Sequence, residues 1–255
     1  GLCAAGALAQ TAPVPLAPVF VTATRAADPA EYVPFSHQTL TGDTLRQAAN
    51  VTVDGALRQI PGFSLFRRSD SLVANPTTQG VSLRGLGPSG ASRSLILLDG
   101  VPLNDPFGGW VLWSKVPRES LAAIELVPGA GGTAWGNAAL GGVIQLFTES
   151  PAGERERFAA RGGSFDTYDF EGQLTEPAGP GTLQLLGRSL STRGYFTVAA
   201  ERRGPIDQPV TSRSHWLTGR WRQALGPGMT ATLTVRRFGD DRGNGHHLAI
   251  APDEG

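Results

Sequence analysis

Residues 81–103 read VSLRGLGPSGASRSLILLDGVPL and residues 124–148 read IELVPGAGGTAWGNAALGGVIQLFT. Short β-prone apolar runs alternate with dense glycine. Val81 to Arg84, Ser94 to Leu98, Ala123 to Val127 and Val143 to Phe147 each have the length and residue types of a buried strand. Asp99-Gly100 between Leu98 and Val101 is a two-residue hairpin signal, because both residues tolerate positive φ. The stretch predicts a compact sheet with polar, glycine-rich loops.

Immediately N-terminal the period changes from two to 3.6. Val53, Ala56, Leu57 and Ile60 fall at i, i+3, i+4 and i+7, one face of a short helix, with Thr52 as N-cap and Pro61-Gly62 as stop. Asp43-Thr44-Leu45 opens a further helical turn. Helices among short strands make this an α/β or α+β unit and not a sandwich.

The order L-R-G, L-I-L-L-D-G-V-P-L, I-E-L and W-G-x-x-A-L-G-G-V-I resembles the plug domain of TonB-dependent outer-membrane receptors, closely over about residues 19–148. The resemblance implies an α/β plug domain (a small mixed sheet with short helices) followed by antiparallel strands of a transmembrane β-barrel. It also implies active uptake of a scarce nutrient across the outer membrane of a Gram-negative bacterium. A ferric siderophore comes first as cargo, with cobalamin as the alternative. The implied partners are TonB of the inner-membrane energy-coupling complex, the small-molecule metal chelate or cobalamin, and outer-membrane lipid. One departure stands at Val127-Pro128-Gly129-Ala130, where many members read V-x-R-G-P: Pro128 replaces the second arginine, so the plug must be held in part by other contacts.

Several residues take roles from the resemblance. Val19, Phe20, Val21, Thr22 and Ala23, at the start of a β-prone run ending at Arg25, match the TonB box, which would be offered to TonB as an added strand; taken alone, the run equally reads as a first sheet strand. Arg84, the L-R-G arginine, is implied to hold the plug against barrel carboxylates, a task that suits the planar donor fork of a guanidinium; Arg93 is either a second such contact or a solvated loop residue. Plug-tip ligand contacts are expected of Gly87, Ser89, Phe107, Trp110 and Trp113. Such aromatics more often fill a small core or the seam between plug and barrel.

Other patterns exclude functions. Gly85 to Gly90 spells G-x-G-x-x-G, but that fingerprint needs a helix behind it to receive a pyrophosphate, and the apolar strand Ser94 to Leu98 follows instead. His246-His247 are adjacent in an outward loop, a poor spacing for two ligands of one ion in extended chain. No carboxylate pair, Ser/His/Asp set or zinc-ligand spacing stands out, so neither catalytic residues nor a metal site or cofactor is assigned. Formal net charge is +0, which argues no general attraction to nucleic acid.

Working outward, residues 1–9 read as a signal-peptide remnant with Ala7-Leu8-Ala9 as an A-x-A pattern. Cys3 would be removed with it. Residues 10–32 form an N-terminal segment, Pro/Ala-rich at Thr11 to Pro18, that carries the TonB box at 19–25; 33–149 form the plug. From 155 to 255 the pattern turns to amphipathic strands of period two, expected at about 157–164, 167–176, 181–192, 213–224 and 229–239. The third and fourth alternate poorly. Tight turns at Pro177 to Pro180 and Leu225 to Gly228 contrast with the long loop Arg193 to Ser212. That is the pattern of a barrel with short turns on one side, and five strands cannot close one. The reading therefore expects a fragment of a longer barrel protein. A soluble plug-like binding or signalling module is the alternative class.

Overall fold

The computed structural model describes residues 20–21, 28–29, 36–67, 69–85, 92–129, 135–151 and 154–246. Near the N-terminus, β1 (Phe20–Val21) pairs antiparallel with β2 (Asp28–Pro29). The N-terminal domain then runs β3 (Gln38–Thr41), α1 (Gly42–Gln47), α2 (Val53–Leu57), β4 (Phe63–Leu65), β5 (Val81–Leu83), β6 (Ser94–Leu98), β7 (Val101–Pro102), β8 (Leu121–Pro128) and β9 (Gly142–Thr148). Its main sheet has the order β3-β8-β9-β6-β7, with β6 and β9 parallel and the other pairs antiparallel. β4 and β5 form a separate antiparallel pair.

Side-chain alternation explains the layers. Ile96, Leu98, Ile144, Leu146, Ile124 and Leu126 project from one face of the sheet onto Leu45, Val53, Leu57, Phe63 and Trp113. Leu95, Leu97 and Val143 project from the other face onto Ala139. With both faces covered, β6 is buried throughout, which is why its sequence is a continuous apolar run. Each fully buried leucine or isoleucine contributes about 1.5–3 kcal/mol.

Local chemistry fixes the connections. Thr41 caps α1 by accepting from the Thr44 N–H, and Leu98 pairs with Val101 across Asp99 (φ 51°) and Gly100 (φ 80°), the predicted hairpin. At Gly142, φ is +129° and a Cβ would meet the Val127 carbonyl oxygen at 2.4 Å, so glycine alone fits. The second helix is shorter than expected and ends at Leu57; Ile60 still packs into the core beyond it.

The C-terminal half is a meander of five antiparallel strands: β10 (Arg155–Gly163), β11 (Thr167–Ala178), β12 (Gly181–Thr192), β13 (Ser212–Gly226) and β14 (Met229–Arg242). All five lie where the sequence predicts them, within a few residues. Their burial is inverted relative to an ordinary sheet. On β11, Thr167, Asp169, Glu171, Gln173 and Thr175 are buried, whereas Tyr168 and Phe170 are more than half exposed. β12 and β13 alternate in burial just as regularly. They looked irregular in sequence because their inward faces mix Gln184, Arg188, Ser214 and Arg220 with Leu186, Leu190 and Trp216.

The outward apolar residues form a band that is oblique to the hydrogen-bonded rows. The row from Phe158 passes Gly172, Gly187 and Leu217 and ends at Arg237, while the apolar residues of β14, Val235 and Leu233, lie further toward the Gly226–Met229 turn. An oblique band is what strands tilted in a layer produce. Among the described residues no helix is long and apolar enough to cross a membrane.

Candidate functional site

The N-terminal domain rests on the inward, polar face of the five-stranded sheet. The contact is built from arginine and carboxylate clusters brought together from distant parts of the chain. The first surrounds Glu119, just before β8. Glu171 Oε2 accepts the Glu119 N–H at 2.6 Å, and Arg161 binds both the Glu119 carboxylate and, at 3.1 Å, Asp169. Arg188 Nε lies 2.8 Å from Asp169 and 2.9 Å from Glu171. Its other nitrogens donate to the carbonyls of Val116 at 3.2 Å and Val51 at 3.0 Å in the N-terminal domain. The side chains of Arg188 and Asp169 are 1% and 0% exposed. Charges so far from water persist only when paired and fully hydrogen-bonded.

The second cluster centres on Glu149, between the two halves. Arg155 approaches it at 2.5 Å, Arg157 at 2.8 Å and Arg46 at 3.4 Å, and Gln173 Nε2 donates to it at 3.2 Å. Burial pushes the Glu149 carboxyl up, but the hydrogen bonds and charges of Arg157 and Arg155 outweigh it, and its pKa lies below the ordinary 4.5. In the third cluster the hairpin residue Asp99 accepts from Thr148 N at 2.8 Å, Arg220 at 2.5 Å and Arg236 at 2.8 Å. A fourth contact is Arg242, which donates to the carbonyls of Ser71 at 3.0 Å and Ala74 at 2.8 Å and pairs with Asp240 at 2.6 Å. Lys115 stands 5.3 Å over the Phe238 ring.

Arg84 and Arg93, to which the sequence reading gave a holding role, are not among these side chains. Both of those arginines are exposed, and neither makes a hydrogen bond or ion pair to the five strands among the described residues. Arg84 has φ 55° and its guanidinium lies beside Gly129, next to the Pro128 departure. The observed polarity is largely the reverse of the expected one: Asp99, Glu119 and Glu149 meet guanidiniums of the strands. A signal was present in the alternation itself, since Asp169 and Glu171 share parity with Thr167, Gln173 and Thr175, and Arg188, Arg220 and Arg236 sit on inward positions.

The aromatic loop divides. Trp113 is fully buried and meets Phe63 edge-on, ring centroids 6.5 Å apart; as a core residue it cannot contact a ligand, which corrects its expected role. Trp110 is half-buried and lies over Gly108, where a Cβ would come within 1.6 Å of the ring. Phe107 is 96% exposed and free to meet a ligand. Gly87 and Ser89 lie outside the described residues, as do Val19, Thr22 and Ala23; Phe20 and Val21 form β1. Residues 92 and 93 lead into β6 and not into a helix, so Gly85 to Gly90 lacks the context of a dinucleotide site. On the long-loop side, a cavity of about 290 Å³ separates Ser69, Val73 and Pro76 from Thr197, Val210 and Asn244. His246 Nδ1 lies 3.0 Å from Asp207. Among the described residues no group of three or more His, Cys, Asp or Glu side chains is placed to hold a metal ion.

Comparison with known proteins gives this architecture its relatives. Residues 29–143 match the TonB-dependent Receptor Plug Domain family. The ferrienterobactin receptor of Escherichia coli (strain K12) is 32% identical over 143 residues, covering 51% of this chain and 18% of that protein. Among solved structures, the siderophore receptor PirA of Acinetobacter baumannii superposes with a TM-score of 0.61 at 18% identity, covering 81% of this chain and 32% of that one. The ferric enterobactin receptor PfeA of Pseudomonas aeruginosa superposes with a TM-score of 0.60 at 18% identity, covering 84% and 34%. The chain thus spans about a third of the length of the receptor structures it matches.

Proposed function

Residues 29–143 belong to the plug domains of TonB-dependent receptors, and from that premise we propose that the chain supplies the plug and opening barrel strands of an outer-membrane receptor for ferric siderophores. The observation that carries the proposal is the inverted sheet: an apolar band outside, a predominantly polar and charged face inside, with the plug bound to the inner face. A soluble module would have no use for an outward band of Phe158, Leu185, Leu217 and Val235, whereas a wall between lipid and a wet lumen requires it.

The contacts between the two halves support the following mechanism. Cargo binds on the long-loop side, where Phe107 stands free and loop 192–212 faces the 69–78 segment of the plug. TonB, engaging Val19 to Ala23 by strand addition, pulls from the opposite side. The plug is held largely by ion pairs and hydrogen bonds, with Leu186, Leu190 and Trp216 as apolar contacts among them. Such contacts have discrete bound and broken arrangements, and water entering the lumen can replace each lost partner. A force-driven, reversible release suits that chemistry better than a greasy interface would. Binding of cargo and exposure of the 19–23 segment are then linked reciprocally.

The test is uptake of labelled ferric siderophore and labelled cobalamin by source cells carrying the intact gene, its deletion, or Val21→Pro. Loss of siderophore uptake in both mutants is the expected result. Normal uptake of every label after deletion would overturn the receptor reading, and normal uptake by Val21→Pro alone would overturn the TonB-box role of this segment.

A further inference from the structure

At the short-turn end of the sheet, a cavity of about 640 Å³ opens between the Asp99–Val101 hairpin, Thr148 to Pro151, and the inner faces of β13 and β14. Three guanidiniums reach it, from Arg220, Arg222 and Arg236, against one carboxylate, Asp99. That single carboxylate is shared, with Arg220 at 2.5 Å and Arg236 at 2.8 Å on the same Oδ2 atom. Arg222 finds a hydroxyl, Ser150 Oγ at 2.6 Å. Thr230, Thr232 and Thr234, successive inward residues of β14, add a line of hydroxyls. Guanidiniums and hydroxyls in excess of the one lining carboxylate make this open cavity a place an anion can complete.

We propose that this cavity is an anion-binding site that receives the negatively charged oxygens of the cargo as it leaves past the plug. The inference rests on the transport reading above. The ligand class is an oxyanion-rich ferric chelate, with catecholate or carboxylate donors, whose excess oxygens present acceptors that guanidiniums bind in pairs. Asp99 is the resident stand-in: it sits on a two-residue hairpin, and a shift of that hairpin withdraws one carboxylate from two arginines at once. Cargo oxygens then exchange for it, so Arg220 and Arg236 are never left without a partner. Arg222 and the threonines extend the same surface toward the Gly226–Met229 turn, giving the leaving chelate a path of polar contacts.

The experiment uses cells expressing the full-length receptor and a ferric catecholate chelate as probe, with surface affinity and uptake rate measured on the same cells. Arg222→Gln, which leaves the Asp99 ion pairs to Arg220 and Arg236 intact, should slow uptake about tenfold with surface affinity unchanged, and Arg222→Lys, which returns the charge without the paired donors, should restore only part of the rate. An unchanged rate in the glutamine variant overturns the site. So does a parallel loss of surface affinity and rate, since that marks a structural defect and not a step after binding. Failure of the transport reading itself shows in the unsubstituted receptor, as absence of uptake, and is thereby told apart from failure of this site.

Discussion

In the plug the largest fully buried side chains are apolar, among them Leu45, Ile96, Ile144 and Trp113; in the five-stranded sheet Asp169, Gln173, Gln184 and Thr218 are buried just as deeply, beside Leu186 and Leu190. The exposed large side chains invert in the same way, with Leu185, Leu217, Leu233 and Val235 facing out from the sheet. Burial follows apolarity in the plug because its surroundings are water. In the sheet it runs largely against apolarity, which the proposed receptor reading explains by two different media: the plug and a wet lumen on one face, hydrocarbon on the other. The hydrophobic effect thus shapes the first half, and ion pairing with hydrogen bonding shapes the contact between the halves.

The strongest way to break this contrast is to exchange the chemistry of one half for that of the other. Arg188→Ala leaves Asp169 and Glu171 buried without their main partner and should cost about 3–5 kcal/mol, read by denaturant unfolding of the plug against the barrel. Replacing Arg188, Asp169 and Glu171 together with apolar residues of like volume should cost far less, because no lone charge remains. Trp113→Ala, which leaves a cavity against Phe63, should cost a similar 3–5 kcal/mol, but its effect should fall on the plug's own unfolding. A smaller expected effect comes from Leu185→Arg, about 2–4 kcal/mol in a bilayer if it lies near the midplane. Folding into vesicles measures it, and the same substitution in a sheet that faced water would be near neutral.

The contribution of Glu149 has a sign that pH can reveal. Its folded-state pKa is lowered, so the folded state favours the ionised form. The stability it adds is present above the ordinary carboxylate range and is lost as pH falls through the lowered value. Glu149→Gln should therefore weaken plug docking at neutral pH, with the gap to the parent closing as pH falls through the lowered folded-state value, as followed by hydrogen exchange of residues 149–157. At the small end, Phe107→Ala should change stability by no more than about 0.5 kcal/mol while reducing chelate affinity at the outer side.

The sequence revealed the strands of both halves more fully than the contact between them. Val143 to Phe147, Ser94 to Leu98 and the Asp99-Gly100 hairpin were legible because local chain chemistry dictates them. The ion pairs were not, since Glu119 meets Arg161, and Asp99 meets Arg236, only after the chain has folded back across many residues. Arg84 drew attention through its glycine-flanked motif, and Trp113 through its neighbours Phe107 and Trp110. Neither residue type says whether the side chain points to a core, a wall or solvent. β12 and β13 were hard to read for a related reason. A lumenal face that carries Leu186 and Leu190 beside Gln184 and Arg188 defeats a rule that equates inward with apolar.

The most direct measurement places a spin label at single cysteines along β12 to β14 in the membrane-embedded protein, at Leu185→Cys, Leu217→Cys and Leu233→Cys and at Thr218→Cys and Thr232→Cys. Collision rates are compared for oxygen, which concentrates in lipid, and a water-soluble nickel chelate. The account predicts that the three leucine positions see oxygen and not nickel, and that neither threonine position is oxygen-rich. Nickel access at Leu185, Leu217 and Leu233 equal to that of a loop residue would mean that the outward face meets water, and the barrel reading of the sheet would be wrong.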